Sequence, residues 1–380
     1  MDITAAVLSA IGAQAPFTDS KPLAVERIRL DRPGPGEVLV RIKAAGLCHS
    51  DLSVINGNRP RPMPMALGHE AAGIVEEVGP HADGAGGEVL KPGDHVVFVF
   101  VPSCGHCEPC TEGRPALCEP GAAANGAGTL LSGARRLHRH DDEPVNHHLG
   151  VSGFADYATV SRRSLVKVEP ELPLEEAALF GCAVLTGVGA VINTARMPAG
   201  SSAAVIGLGG VGLAALLGAV AAGARTIVAV DLSDDRLAFA RELGATAAVN
   251  ASDPEAAGQV RAATGGGVEY AFDFTGSVRA LDLAYQITRR GGTTVTAGLP
   301  APTATMPLAP VTLVAEERTL KGSYIGTAVP TRDIPRYIEL YRRGLLPVDR
   351  LVTGTLALED INEGFDRLHS GDAIRQVVVL

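Results

Sequence analysis

The feature that most constrains this 380-residue chain is a run of glycines set between an apolar strand and an uncharged helix. Residues 202–206 are strand-like, and Gly207, Leu208, Gly209, Gly210, Val211 and Gly212 follow at once. The next predicted strand ends at Asp231, 19 residues past Gly212. In that context the glycines act separately. Gly207 allows the tight turn, Gly209 lets the backbone approach a pyrophosphate, and Gly212 lets helix and strand pack closely. The phosphates would sit at the helix N-terminus, beside Gly210 and Val211, with no lysine needed. Asp231 would accept hydrogen bonds from ribose hydroxyls and repel a 2′-phosphate, which favours NAD over NADP, and Arg236 would lie along the adenine edge. The plain alternative is a Gly-rich turn in some other α/β protein.

From this turn onward the pattern predicts strands at 203–206, 226–230, 247–249, 269–274, 293–297 and 320–324, alternating with helices: a doubly wound parallel sheet of six strands. Roughly the first 180 residues instead read as short β segments, at 38–43, 71–78, 95–101 and 154–160, joined by Gly/Pro-rich connections. With 46% hydrophobic and 20% charged residues, the chain can build two cores. Asp83–Gly87 and Gly121–Gly128 read as loops. The uncharged run 201–224 is long enough to cross a bilayer, but its glycines suit a strand, a turn and a buried helix in series. A net charge of -9 opposes nucleic-acid and anionic-membrane partners. The basic run Arg135–His140 is followed by Asp141, Asp142 and Glu143, and reads as a solvated loop. The N-terminal stretch lacks the charged segment of a secretory signal, so the expected location is cytoplasmic.

Six cysteines are too few for a disulfide scaffold in a chain of this length. Cys104, Cys107 and Cys110 stand at two-residue gaps, and Cys118 follows after a seven-residue gap, a spacing that closes a tetrahedron around Zn²⁺ with no open position. Such a site is structural; an iron–sulfur cluster or paired disulfides are the alternatives on spacing alone. His106 lies within the loop as an exposed bystander. The other two cysteines are Cys48, in Gly46-Leu47-Cys48-His49-Ser50-Asp51, and Cys182, after Gly181. With His69 of Gly68-His69-Glu70 they would make a three-ligand zinc site whose fourth position takes water or substrate. Zinc there would lower the pKa of a bound alcohol, holding it as the alkoxide from which hydride departs. Spacing alone leaves that reading open, since a lone Cys is more often a small buried hydrophobe.

At these residues the sequence resembles the zinc-containing medium-chain alcohol dehydrogenases. The segments at Cys48, at Gly68-His69-Glu70-Ala71-Ala72-Gly73, the four-cysteine lobe, Gly181-Cys182, the glycine turn, Ile361–Asp366 and Ser370–Arg375 fall in that family's order. The resemblance implies a GroES-like β-rich catalytic domain at 1–183 and 325–380, with a structural-zinc lobe at about 102–120, and a Rossmann NAD-binding domain at 184–324. By position it makes Cys48, His69 and Cys182 the catalytic zinc ligands and Cys104, Cys107, Cys110 and Cys118 the structural ones, two zinc ions per subunit. Asp51 matches the carboxylate that orients the imidazole ligand. Ser50 matches the hydroxyl that takes the alcohol's proton, and Glu70 a group that helps exchange the fourth ligand. Several members carry a His three positions beyond that hydroxyl to end a proton relay; Ser53 stands here, so water or His49 would finish it. His49 and Arg375 match contacts to the cofactor pyrophosphate. Phe100, His148, Leu149, Leu299 and Tyr324 correspond to positions lining the substrate cleft, where the polar ring of His148 would bind a second substrate oxygen or face solvent.

The resemblance implies reversible oxidation of a primary, secondary or aromatic alcohol to an aldehyde or ketone. A thiol-dependent formaldehyde dehydrogenase is the nearest alternative, although no Arg follows Cys118 in Gly121–Ala127. A non-catalytic zinc and nucleotide binder is the alternative from another class. The long connection between Cys118 and Phe154 is similar to that of the family's dimeric branch and suggests a homodimer.

Overall fold

The computed structural model describes residues 1–81 and 89–380. The loop expected at Asp83–Gly87 lies outside the described residues. The chain divides into two compact units: Met1–Cys182 with Val329–Pro335 and Asp349–Leu380, and Ala183–Ala328 with Arg336–Val348. Residues 183, 325–328 and 336–348, expected from sequence to lie in the catalytic domain, cluster with the second unit.

The first unit is built on two sheets. Asp2–Leu8, Leu23–Leu30, Leu137–His138, Pro144–His147 and Met65–Ala66 close a barrel, whose core packs Ile3, Val7, Ile28, Leu30 and Val145. The larger sheet runs Leu165–Val168, His95–Phe98, Ala71–Val78, Glu37–Gly46, Gln376–Val379 and Gly354–Leu356, and Tyr157–Ser161 also pairs with Glu37–Gly46. Its register decides where chemistry gathers. Ala45 pairs with Ala71 in antiparallel fashion, and Val377 pairs with Gly46. The chain leaving one strand at Gly46, entering the next at Ala71 and entering the last at Gln376 therefore meets at one end of three neighbouring strands.

The second unit is the Rossmann sheet, in the order Ala247–Asn250, Thr226–Asp231, Ser202–Ile206, Val268–Asp273, Thr288–Thr296, Thr319–Gly322, with every pair parallel. This is the doubly wound order, in which ligands bind beyond the strand C-termini where the order reverses. Val228, Val230, Ile206 and Ala271 meet Val260 and Ile287 in its core. The uncharged run 201–224 resolves into the strand Ser202–Ile206 and the helix Gly210–Ala221, most of it buried.

Two loop expectations are corrected. Glu119–Ala127 is a helix: a proline opens it, the Cys118 sulfur accepts the Gly121 N–H, and Gly128 closes it in the left-handed conformation. Its alanines carry helix propensity that a loop reading of composition overlooks. The basic run is not a solvated loop either. Leu137–His138 is a barrel strand, Arg136 bonds the buried Glu37 at 2.8 Å, and Arg139 spans Glu26 and Glu143.

Candidate active site

Cys48, His69 and Cys182 come from three separate segments yet offer donor atoms that all lie within 4.8 Å of one another, and all three residues are buried. The sheet register places two of them. Cys48 follows the strand ending at Gly46, and His69 precedes the strand starting at Ala71. Gly46 N–H donates to the Glu70 carbonyl at 2.8 Å, carrying the ladder past the strand ends. Cys182 sits in a π-helical turn, Phe180–Val184, the kind of local widening that recurs at functional sites. The sequence gives no periodic signal for it.

His69 Nε2 stands 3.4 Å from Cys182 Sγ. A tetrahedral zinc with bonds of about 2.3 Å to sulfur and 2.0 Å to nitrogen requires about 3.5 Å between such donors. The donor set therefore fits that metal. Its electrostatics point the same way. A hydrogen bond from Cys182 to Cys48, aided by His69, drives the Cys48 thiol well below its ordinary range and Cys182 well above it, so the pair readily yields a thiolate. Burial disfavours a charged His69 ring, but the Asp51 and Cys48 charges outweigh it and raise the ring's pKa well above its usual value.

Asp51 is fully buried and accepts at Oδ1 from His69 Nδ1 at 3.1 Å and from the Gly68 N–H at 3.2 Å. Gly68 can be nothing larger: its φ is +92° and a Cβ there would overlap the Phe154 backbone nitrogen. Glu70, also fully buried, has its carboxyl pushed up to about 7 by burial, against the pull of Arg375.

The four-cysteine lobe is equally compact. Its sulfurs lie within 4.8 Å of one another, with Cys107 and Cys118 at 3.9 Å, near the roughly 3.8 Å edge of a zinc tetrahedron. All six cysteines are free, so paired disulfides are set aside. Backbone N–H groups point at the sulfurs, from Cys107 to Cys104 at 3.3 Å and from Cys104 to Cys118 at 3.1 Å. Burial would raise Cys104, but the His106 and Cys107 N–H groups bring it down to about 6. His106 is exposed, its ring turned 3.1 Å from the Cys104 carbonyl oxygen.

In the second unit, Gly207 adopts φ +85° and a Cβ on Gly212 would overlap the Gly207 carbonyl oxygen, so the turn cannot form with a side chain there. A Cβ on Gly209 would meet nothing within 4 Å. The fold's own packing does not require that glycine, which leaves a bare backbone face at the start of the helix that follows. Asp231 accepts from the Leu208 N–H at 2.6 Å and from the Ser233 N–H at 3.0 Å, one on each oxygen. It ties the turn to the second strand and keeps lone pairs for further donors. Gly210 and Val211 open the helix, and Arg236 lies in the first turn of the helix Asp234–Glu242.

Residues 34–170 match the family described as alcohol dehydrogenase GroES-like domain, and residues 210–343 match that described as zinc-binding dehydrogenase. The chain belongs to the zinc-containing medium-chain alcohol dehydrogenases. It is an oxidoreductase with the GroES-like and Rossmann folds of that family, which as a whole works with zinc and a nicotinamide dinucleotide. It is 38% identical over 368 residues to an S-(hydroxymethyl)glutathione dehydrogenase of Paracoccus denitrificans, covering 94% of this chain and 96% of that one. Among solved structures it is similar to an alcohol dehydrogenase zinc-binding domain protein from Burkholderia ambifaria (38% identity, TM-score 0.93, 100% of this chain and 99% of that chain). It is also similar to benzyl alcohol dehydrogenase from Acinetobacter calcoaceticus (33%, 0.91, 100% and 99%).

The remaining residues singled out in this dehydrogenase's sequence fall into four groups. Phe100 and His148 are brought to His69, each meeting its ring edge-on with centroids 5.4 and 5.5 Å away. Leu149 follows with φ +52°. His148 does not face solvent: it is 1% exposed, and its Nδ1 lies 3.1 Å from Asp51 Oδ1. Burial lowers its pKa, with Asp51 working against that. Leu299 and Tyr324 belong to the second unit, where both are exposed. His49 and Ser50 begin the short helix His49–Ile55, with His49 exposed and Ser50 Oγ 3.8 Å from Cys48 Sγ. Ser53 donates its hydroxyl to the His49 carbonyl at 2.8 Å. Arg375 is 3% exposed, donates to the Leu47 carbonyl at 2.7 Å and stands 3.6 Å from Glu70. The structure sets its guanidinium against a buried carboxyl, a partner that the pyrophosphate expectation had not included.

Proposed function

We propose that this protein is a zinc-dependent, NAD-linked alcohol dehydrogenase that interconverts a primary, secondary or aromatic alcohol with its aldehyde or ketone. The observation that carries this reading is the convergence of Cys48, His69 and Cys182, buried and within 4.8 Å of one another. Three protein ligands leave a fourth position for substrate, the arrangement of a catalytic zinc. Zinc bound there supplies Lewis acidity that lowers the pKa of a substrate hydroxyl. Asp51 holds His69 in its ligating tautomer. Ser50 would take the hydroxyl proton, and bound NAD would supply the acceptor for the carbinol hydride. Ser53 already spends its hydroxyl proton on the His49 carbonyl, so His49 or water carries the proton onward. Glu70 would assist exchange at the fourth position, a role supported by its raised pKa and by Arg375 3.6 Å away.

The turn Gly207–Gly212 would hold the NAD pyrophosphate, and Asp231 would select against a 2′-phosphate. Cys104, Cys107, Cys110 and Cys118 hold a second, structural zinc in each subunit of a cytoplasmic homodimer. Phe100, His148 and Leu149, gathered about His69 in the first unit, shape the substrate site. The Acinetobacter relative, named for benzyl alcohol, supports an alcohol as substrate. The Paracoccus relative, named for a hydroxymethyl-thiol adduct, keeps that substrate as a second reading, against which stands the arginine-free helix Glu119–Ala127. A panel of aliphatic, benzylic, polyol and thiol-adduct substrates, offered with NAD and with NADP and scored by reduced nicotinamide, separates them. The proposal predicts turnover of simple alcohols with NAD. Turnover of the thiol adduct alone would replace it with the second reading.

A further inference from the structure

Two strands of the Rossmann sheet close on an acid, and they flank the strand Ser202–Ile206: Thr226–Asp231 on one side and Val268–Asp273 on the other. The strand order reverses between Ser202–Ile206 and Val268–Asp273, where Ile206 pairs with Asp273. A dinucleotide lies across that point, with one mononucleotide over each half of the sheet. Asp231 is the acid proposed for the adenosine ribose. Asp273 belongs to the other half. It is 1% exposed, and its Oδ1 accepts both the Thr275 N–H at 3.0 Å and the Thr275 hydroxyl at 2.7 Å, while its Oδ2 accepts the Thr296 hydroxyl at 2.8 Å. The Thr275 oxygen in turn accepts the Ser277 N–H at 3.0 Å, and the Asp273 carbonyl accepts the N–H groups of Ala297 and Gly298 at 2.9 and 3.2 Å. One buried residue therefore ties down two loops, 274–277 and 297–299, although Thr275, Ser277 and Leu299 are themselves exposed. The loops approach backbone to backbone, since a Cβ on Gly298 would overlap the Gly276 nitrogen. The Thr275 methyl closes against the glycine turn, where a Cβ on Gly207 would overlap it. Burying a carboxyl among neutral donors is costly for a fold that needs only packing there. What it secures is the placement of exposed backbone where the strand order reverses.

We propose that Asp273 is a positioning residue for the nicotinamide half of the cofactor: its carboxyl holds loops 274–277 and 297–299 in the one arrangement that receives that mononucleotide. The proposal rests on the reading of this sheet as the NAD site. Asp273 does not touch the cofactor in this role; it acts through Thr275, Thr296 and the backbone that they fix. Its effect therefore falls on the nicotinamide mononucleotide and spares the adenosine side, where Asp231 and the Leu208 N–H form a separate bond.

The test compares, by titration calorimetry on the full-length protein, the binding of NAD with that of AMP, which carries the adenosine half alone. Asp273→Ala frees both loops and should weaken NAD roughly tenfold or more, the scale of losing bonds to a charged acceptor. AMP affinity should stay within about twofold, as for a distant site. Asp273→Asn keeps an acceptor for Thr275, and the Thr296 hydroxyl can turn to accept from the new amide, so most of the loss should be recovered. Thr275→Val keeps the branched shape but removes the hydroxyl; it should fall between the parent and Asp273→Ala, and it serves if that variant does not fold. Parental NAD affinity in Asp273→Ala, or in Thr275→Val where the alanine variant fails to fold, overturns the positioning role. So do equal losses of NAD and AMP, or equal losses in Asp273→Ala and Asp273→Asn. A parent that binds AMP but not NAD would instead overturn the reading of the sheet as the NAD site.

Discussion

At the residue scale, the site shows how few side chains need to be unusual once the backbone has gathered them. Cys48, His69, Glu70 and Arg375 share one end of three paired strands; burial raises the Glu70 carboxyl, whereas for Cys48, His69 and Arg375 the neighbouring charges and hydrogen bonds outweigh it. The same physics acts at a histidine outside the metal site. His147 is buried, and burial, with help from the Arg135 and Arg136 charges, depresses its pKa to about 3, while its Nε2 accepts the Arg136 N–H at 3.0 Å. The folded state therefore refuses a proton that an unfolded histidine, with a pKa of about 6.5, accepts. Above that value the group contributes no pH dependence; between about 6.5 and 3, stability falls as pH falls. His147→Gln keeps an acceptor but does not titrate. Relative to the parent, its unfolding free energy should improve by about 2 kcal/mol between pH 7 and pH 5. Urea unfolding at the two pH values checks this, and a parallel loss in both proteins would refute it.

At the element scale, the cysteine lobe has few means of support besides its sulfurs. The helices Glu108–Thr111 and Glu119–Ala127 are short, and the first buries none of its residues. Cys107→Ser should thus release one zinc per chain and lower the thermal midpoint, leaving NAD affinity within about twofold, since the glycine turn lies in the other unit. Metal analysis beside NAD titration reads both, and a matching fall in NAD affinity would count against the division. Elements also mark where sequence was and was not legible. The parallel strands announced themselves through apolar runs bounded by glycine, and the spacing of Cys104, Cys107, Cys110 and Cys118 is local enough to read directly. Helix Glu119–Ala127 was hidden because alanine and glycine mix there and its N-terminal support is a cysteine sulfur. The π-turn at Phe180–Val184 leaves no pattern in residue type at all. His148 was visible as an odd residue, but Asp51, which its ring approaches to 3.1 Å, is 97 positions away and only the fold brings them together.

At the scale of the whole molecule, the chain divides the chemistry between its units. One gathers Cys48, His69 and Cys182, the ligands proposed for the catalytic metal, and the other carries the glycine turn and the acidic strand end proposed to hold the dinucleotide. The central claim is that the catalytic metal, held by Cys48, His69 and Cys182, is what lets a substrate alcohol lose its hydroxyl proton and give up the hydride of its carbinol carbon to NAD. The most direct measurement is NADH formation from a simple alcohol by Cys48→Ser, made with its zinc content, NAD affinity and thermal midpoint. The account predicts one zinc per chain in place of two, near-parental NAD binding, a folded protein, and a rate reduced at least about 1,000-fold, the several kcal/mol that a metal supplies to the transition state. Parental turnover by a Cys48→Ser protein that has lost that zinc would contradict it.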